Sequence, residues 1–137
     1  MPSKSGTETR QGNGSPLRDL PRVIVCGSRG WHDRDKIAER FHALVLTHAP
    51  HYPVIVHGNA RGADRLADEE AGKAGLLTEP HPADWDTHGK AAGFIRNEEM
   101  AKLGAALCIA FWDGRSTGTQ DMMTRAEKHG IPVEVVR

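Results

Sequence analysis

Stretches of unbroken apolar sequence alternate with stretches in which apolar residues recur at helical spacing. Val23-Ile24-Val25-Cys26, Val54-Ile55-Val56-His57 and Ala106–Trp112 are near-continuous apolar runs. Such runs mark strands that helices cover on both faces. Ile37, Phe41, Leu44 and Val45 stand at i, i+4, i+7 and i+8, which predicts a helix over about Arg34–Thr47 with Asp33 as its cap. Ala63, Leu66, Ala67, Ala71 and Ala74 form the stripe of a second helix over about Ala63–Ala74, and Gly75 suits its C-terminal cap. The small side chains of that stripe predict close packing on the sheet. Leu76–Glu79 reads as a short third strand and Pro80–Gly89 as a loop rich in His, Pro, Asp and Trp. A third helix is expected over about Lys90–Leu103, a fourth over about Thr119–His129 closed by Gly130, and a last strand over Val133–Val136. Glu134, central in that strand, suits a sheet edge.

The fold class is therefore α/β: a parallel five-stranded sheet, strand order 3-2-1-4-5, with right-handed crossovers and helices on both faces. That order sets strands one and four side by side where the winding reverses. Open α/β sheets bind ligands at such a crevice. Strands one, two and four each run into a polar, glycine-bearing turn that carries an arginine, and a parallel sheet gathers all three turns at one edge.

The first turn, Gly27-Ser28-Arg29-Gly30, offers a hydroxyl and a guanidinium able to fork onto a phosphate, without spelling G-x-G-x-x-G. The second, His57 to Asp64, brackets Arg61 between Gly58 and Gly62. Asp64 falls in the first turn of a helix, where the dipole favours a carboxylate. Two roles are open to it: capping, or a hydrogen bond that holds Arg29, Arg61 or the ligand. The third turn, Gly114-Arg115-Ser116-Thr117-Gly118-Thr119, has the composition of an anion cradle of N–H groups and hydroxyls, and equally of a capping motif. Gly93, Arg96, Asn97 and Met100 share one stripe of the third helix, where the glycine suggests close approach by backbone or ligand. Trp85, beside Asp84 and Asp86, is placed to stack on a base or to cover the sheet edge. Trp31 and Trp112 fall just after strands on the same edge.

Composition narrows this picture. A chain of 137 residues suits one domain. Met1–Leu20 show no apolar period and read as a disordered or loosely attached tail ahead of a domain over 21–137, which helps to explain an apolar content of only 38%. No stretch has the pattern of a secretory signal or a membrane span. Basic and acidic residues balance at 18 each, which argues against broad nucleic-acid binding and leaves room for a local basic pocket. Cys26 and Cys108 lie in buried strands and read as free thiols, with cytoplasmic location as the default. The eight histidines show no metal-ligand spacing, so no metal and no cofactor is expected.

Together, Val-Ile-Val-Cys-Gly-Ser-Arg at 23–29, Gly58-x-Ala60-Arg61-Gly62-Ala63-Asp64, Ala83-x-Trp85, Gly93-x-x-Arg96-Asn97 and Phe111-x-x-Gly114-x-Ser116-x-Gly118-Thr119 resemble the YspA-like branch of the SLOG superfamily. That superfamily groups DNA-processing protein A and the "lonely guy" cytokinin-activating phosphoribohydrolases. The resemblance spans about Arg22 to Val136 and implies a Rossmann-like fold that binds nucleotides or their derivatives. It also makes a homodimer plausible, with Phe94 or Met122 and Met123 at the contact. The phosphoribohydrolases carry Pro-Gly-Gly-x-Gly-Thr-x-x-Glu with a catalytic glutamate. Aligning Gly118-Thr119 places Met122 there, with Asp121 about 100° round the helix. The expected function is therefore binding or sensing of a nucleotide-derived ligand. An N-glycosidase acting on a nucleotide, using Asp84, Asp86, Asp113 or Asp121, and a binder of single-stranded nucleic acid are the alternatives.

Overall fold

The computed structural model describes residues 20–137. The tail expected at Met1–Leu20 lies outside the described residues except for Leu20, which packs against the core. Five strands, β1 (Arg22–Gly27), β2 (Val54–His57), β3 (Thr78–Pro80), β4 (Leu107–Phe111) and β5 (Val133–Val136), form one sheet. Every pairing is parallel and the order is β3-β2-β1-β4-β5, as the alternation of apolar runs and helical stripes predicts.

Alternate side chains of the strands feed two cores. Val23, Val25, Ile55, Ile109 and Phe111 pack on one face with Ile37, Phe41 and Leu44 of α1 (Arg34–His48) and Ala63, Ala67 and Ala71 of α2 (Ala63–Lys73). Ile24, Cys26, Val54, Val56, Cys108 and Ala110 pack on the other with α4 (Ala92–Leu103) and α5 (Thr117–Lys128). The alanine stripe lets α2 lie against β1: a Cβ on Gly27 would overlap both the Ala63 side chain and the Phe111 carbonyl.

Local chemistry explains where element ends depart from the expected bounds. β3 begins at Thr78 because Leu76 belongs to the end of α2. Gly75 adopts φ 79° and the Leu76 N–H reaches back to the Ala71 carbonyl at 2.8 Å, the hydrogen bond that closes a Schellman motif. α5 begins at Thr117, earlier than expected, because Ser116 is its N-cap and accepts from the Thr119 N–H at 3.4 Å. The expected loop at Pro80–Gly89 contains a short helix, α3 (Trp85–His88), capped by Asp84, and a 3-10 turn at Gly89–Ala91 then leads into α4. Among the described residues no helix is long and apolar enough to cross a membrane.

Candidate functional site

β1, β2 and β4 end at the same edge of the sheet, and the turns that follow them surround a cavity of about 610 Å³. That volume suits a small organic ligand. Of the residues expected at a site, Gly27, Arg29, Gly58, Asp64, Trp85, Arg96, Asn97, Ser116, Thr117, Gly118 and Thr119 line it. Ser28, Arg61, Gly62 and Gly114 do not. Its floor is apolar, made by Val25, Cys26, Met100 and Met122. Sequence reasoning set Phe94 aside as a dimer contact and gave no place to Lys90 or Cys26, yet all three line the cavity. The Gly93-Arg96-Asn97-Met100 stripe lines it complete, so helical spacing located that wall.

The second turn, where Arg61 stands between Gly58 and Gly62, is closed on itself. Asp64 is buried at the start of α2, and its Oδ2 accepts the N–H groups of Gly58 at 3.1 Å and Ala60 at 3.2 Å. The Asn59 N–H donates to Nδ1 of His57 at 3.0 Å. With Nδ1 accepting, Nε2 of the buried His57 carries the proton and donates to Asp68 at 2.8 Å. Three successive N–H groups of this loop are thus consumed internally, and Asp64 neither holds an arginine nor serves only as a helix-end charge. Burial pushes the Asp64 carboxyl up from its ordinary range, and its two N–H donors, His57 and Arg96 pull against that shift.

Arg96 braces the same loop. Its Nη1 donates to the Gly58 carbonyl and, at 3.3 Å, to the His81 carbonyl, while Nε donates to Asn97 Oδ1 at 2.9 Å. Burial lowers its pKa, Asp64 opposes that effect and the Arg29 charge adds to it. Asn97 is buried and donates from Nδ2 to the Gly118 carbonyl at 3.3 Å and to Asp121 at 3.0 Å, tying α4 to α5. Gly62 has φ 74°, and a Cβ there would overlap the carbonyls of Ser28 and Arg29. Ser28 is buried too. Its hydroxyl accepts the Asp113 N–H at 3.0 Å and its carbonyl accepts the Trp31 and Ala63 N–H groups. Expected as a phosphate contact, Ser28 instead clamps the first turn to the other two.

What remains available belongs to the first and third turns. Asp113 Oδ1 takes the N–H groups of Arg115 and Ser116 at 2.7 and 2.9 Å, which holds its carboxyl below the usual range. Ser116 and Thr119 hydroxyls bond each other at 3.0 Å. The N–H groups of Arg29, Gly30, Thr117 and Gly118, all in residues lining the cavity, find no acceptor among the described residues. Nor do the guanidinium groups of Arg29 and Arg115 have a carboxylate partner there. Arg29, Gly30, Thr117 and Gly118 are all exposed, so these donors are open to water at the cavity rim, beside two guanidinium groups without a carboxylate partner.

The other chemical candidates fall away from the cavity or are occupied. Asp121 accepts from Asn97 and from Arg125 at 2.8 Å, and Asp84 caps α3. Met122 is buried in the floor and Met123 in the core, so neither is free for a dimer contact. Trp31 packs on Phe111, and Trp112 donates to the Ser116 carbonyl, so both serve the scaffold. Trp85 stays half-exposed at the cavity mouth. Cys26 and Cys108 are free and buried. Their mutual hydrogen bond, with burial, raises the Cys26 thiol well above its ordinary value, which leaves it a protonated floor atom.

Sheet order, two helical layers and a ligand-sized crevice at the carboxyl edge define a Rossmann-like α/β domain. Residues 21–88 match the model of the YspA, cpYpsA-related SLOG family. The gene 61 protein of Mycobacterium phage D29 is 46% identical over 123 residues, covering 83% of this chain and 94% of that protein. The chain belongs to the YspA, cpYpsA-related SLOG family. DNA processing protein A from Streptococcus pneumoniae superposes with a TM-score of 0.68 at 23% identity, over 88% of this chain and 52% of that one. The same protein from Helicobacter pylori, solved for its single-stranded DNA binding mode, gives a TM-score of 0.63 at 20% identity, over 90% of this chain and 69% of that one. These likenesses show the fold.

Proposed function

We propose that this protein binds a nucleotide or nucleotide-derived ligand at the carboxyl edge of its sheet. One observation carries the reading: open N–H groups of the first and third turns stand with Arg29 and Arg115 around a cavity whose floor is apolar. A phosphate takes the donors and cations, and a base takes the floor and the exposed face of Trp85. The carboxylates that line the cavity, Asp64 and Asp113, are both engaged with backbone N–H groups, and Met122 occupies the glutamate position of the related hydrolases. That disposition favours binding over glycosidic hydrolysis, which needs carboxylates free to activate water. The free thiols of Cys26 and Cys108 support a cytoplasmic location.

The test is calorimetric titration with the common nucleoside 5′-monophosphates. We expect saturable binding of at least one, weakened about tenfold by Arg29→Ala and by Arg115→Ala, the loss of one charge-assisted hydrogen bond each. No heat and no rise in melting temperature with any of them refutes the reading. Single-stranded nucleic acid is the second reading. The Helicobacter pylori relative supports it, and the zero net charge counts less against it because the free arginines concentrate on one edge. An oligothymidylate that binds with a steep salt dependence, while the mononucleotides do not, selects that reading.

A further inference from the structure

A second cavity, of about 370 Å³, adjoins the first and shares Arg29, Gly58, Ala60, Trp85 and Arg96 with it as a common wall. Its own far side carries Arg61 and Arg65. Arg61 lies in the turn just before Gly62, the N-cap of α2, and Arg65 in the first turn of that helix, and both line the cavity. Four arginines line this cavity and no carboxylate does. Among the described residues neither Arg61 nor Arg65 meets an acidic partner, although the same helix offers Asp68, Glu69 and Glu70, which pair with His57, Arg34 and Lys73. The Gly58–Ala60 N–H groups are closed off by Asp64 and His57, so any anion there is held by guanidinium groups. Cations crowded without counter-ions repel each other until an anion sits between them.

We infer that the ligand carries two phosphoryl groups separated by about a nucleoside, one at the first and third turns and the other between Arg61 and Arg65. This rests on the nucleotide reading and deepens it: the chemical class is a nucleoside 3′,5′-bisphosphate or a 5′-phosphorylated dinucleotide. Trp85, which lines both cavities, stands where the intervening base or sugar passes. The pair Arg61 and Arg65 then selects ligand class, while Arg29 and Arg115 supply the anchor common to all of them.

The experiment compares adenosine 5′-monophosphate, adenosine 5′-diphosphate, adenosine 3′,5′-bisphosphate and a 5′-phosphorylated dinucleotide by calorimetry on the full chain. Wild type is set beside the Arg61→Ala/Arg65→Ala double variant, whose exposed side chains leave the fold intact, as circular dichroism checks. The inference expects the bisphosphate or the dinucleotide to bind at least about tenfold tighter than the monophosphate, with a steeper salt dependence. The 5′-diphosphate, whose phosphates are adjacent, gains less. The double variant erases the advantage and leaves monophosphate affinity within about twofold. Monophosphate binding with no gain from a second, distant phosphate overturns this inference alone. So does a double variant that weakens the monophosphate as much as the bisphosphate. Binding of none of the four overturns the nucleotide reading and this one with it.

Discussion

Replacing Asp64 by alanine tests the claim that this carboxylate builds the second turn. The substitution removes the acceptor of two backbone N–H groups, Gly58 at 3.1 Å and Ala60 at 3.2 Å. The Gly58 donor is buried and has nowhere else to go, so its loss carries the larger share, about 2 kcal/mol. Ala60 is half-buried and water replaces much of its bond, which leaves about 1 kcal/mol. Arg96 loses a nearby countercharge, while release of a buried charge offsets part of the loss. The net is about 2–3 kcal/mol, or a fall in melting temperature of about 10 °C for a domain of this size. Urea unfolding followed by circular dichroism measures it. Asp64→Asn, which keeps a carbonyl acceptor for both donors, is expected within about 1 kcal/mol of wild type. An alanine variant as stable as wild type, or an asparagine variant as damaged as alanine, refutes the role assigned to the carboxylate.

The same residue makes a pH prediction. Its folded pKa lies above the ordinary 3.8, so between those values the native state holds more protons than the unfolded chain and the contribution of Asp64 declines as pH rises through that window. The stability difference between wild type and Asp64→Asn should therefore shrink or reverse as pH rises from about 3.8. Urea midpoints across the acid range check this, and a difference that grows with pH contradicts it. Gly62→Ala forces a side chain onto φ 74° and into the carbonyls of Ser28 and Arg29, at a cost of at least about 2 kcal/mol. Gly118→Ala, in open space at a helix start, serves as its control and should change stability by less than about 0.5 kcal/mol in the same unfolding assay. Arg96→Lys keeps the charge but cannot span Gly58, His81 and Asn97 together, and should lose about 1–2 kcal/mol with faster amide exchange at Gly58–Ala60. Exchange unchanged from wild type shows that Arg96 does not brace the loop.

The sequence by itself determined the architecture. Apolar runs such as Val23–Cys26 are buried on both faces, and helical stripes such as Ile37-Phe41-Leu44 cover them, because periods of two and 3.6 residues leave few other ways to hide those side chains. The edge that carries the cavity followed from parallel pairing, and Glu134 on the outer strand β5 followed from its charge. The role of each polar residue at that edge did not. Ser28, Asp64, Arg96 and Asn97 have the side chains of phosphate and base ligands, yet the fold directs their polar atoms to the N–H and carbonyl groups of neighbouring turns. Hydrogen-bond partners of that kind lie up to 85 residues apart along the chain, as between Ser28 and Asp113, and no local pattern reports them. Nor does the sequence say which donors stay open, since an N–H group is available only when everything packed around it has failed to use it. Tertiary structure alone moved the open donors to the first and third turns. It also turned Phe94 and Met122 toward the cavity and set Arg61 and Arg65 apart from Arg115 on the far side of a shared wall.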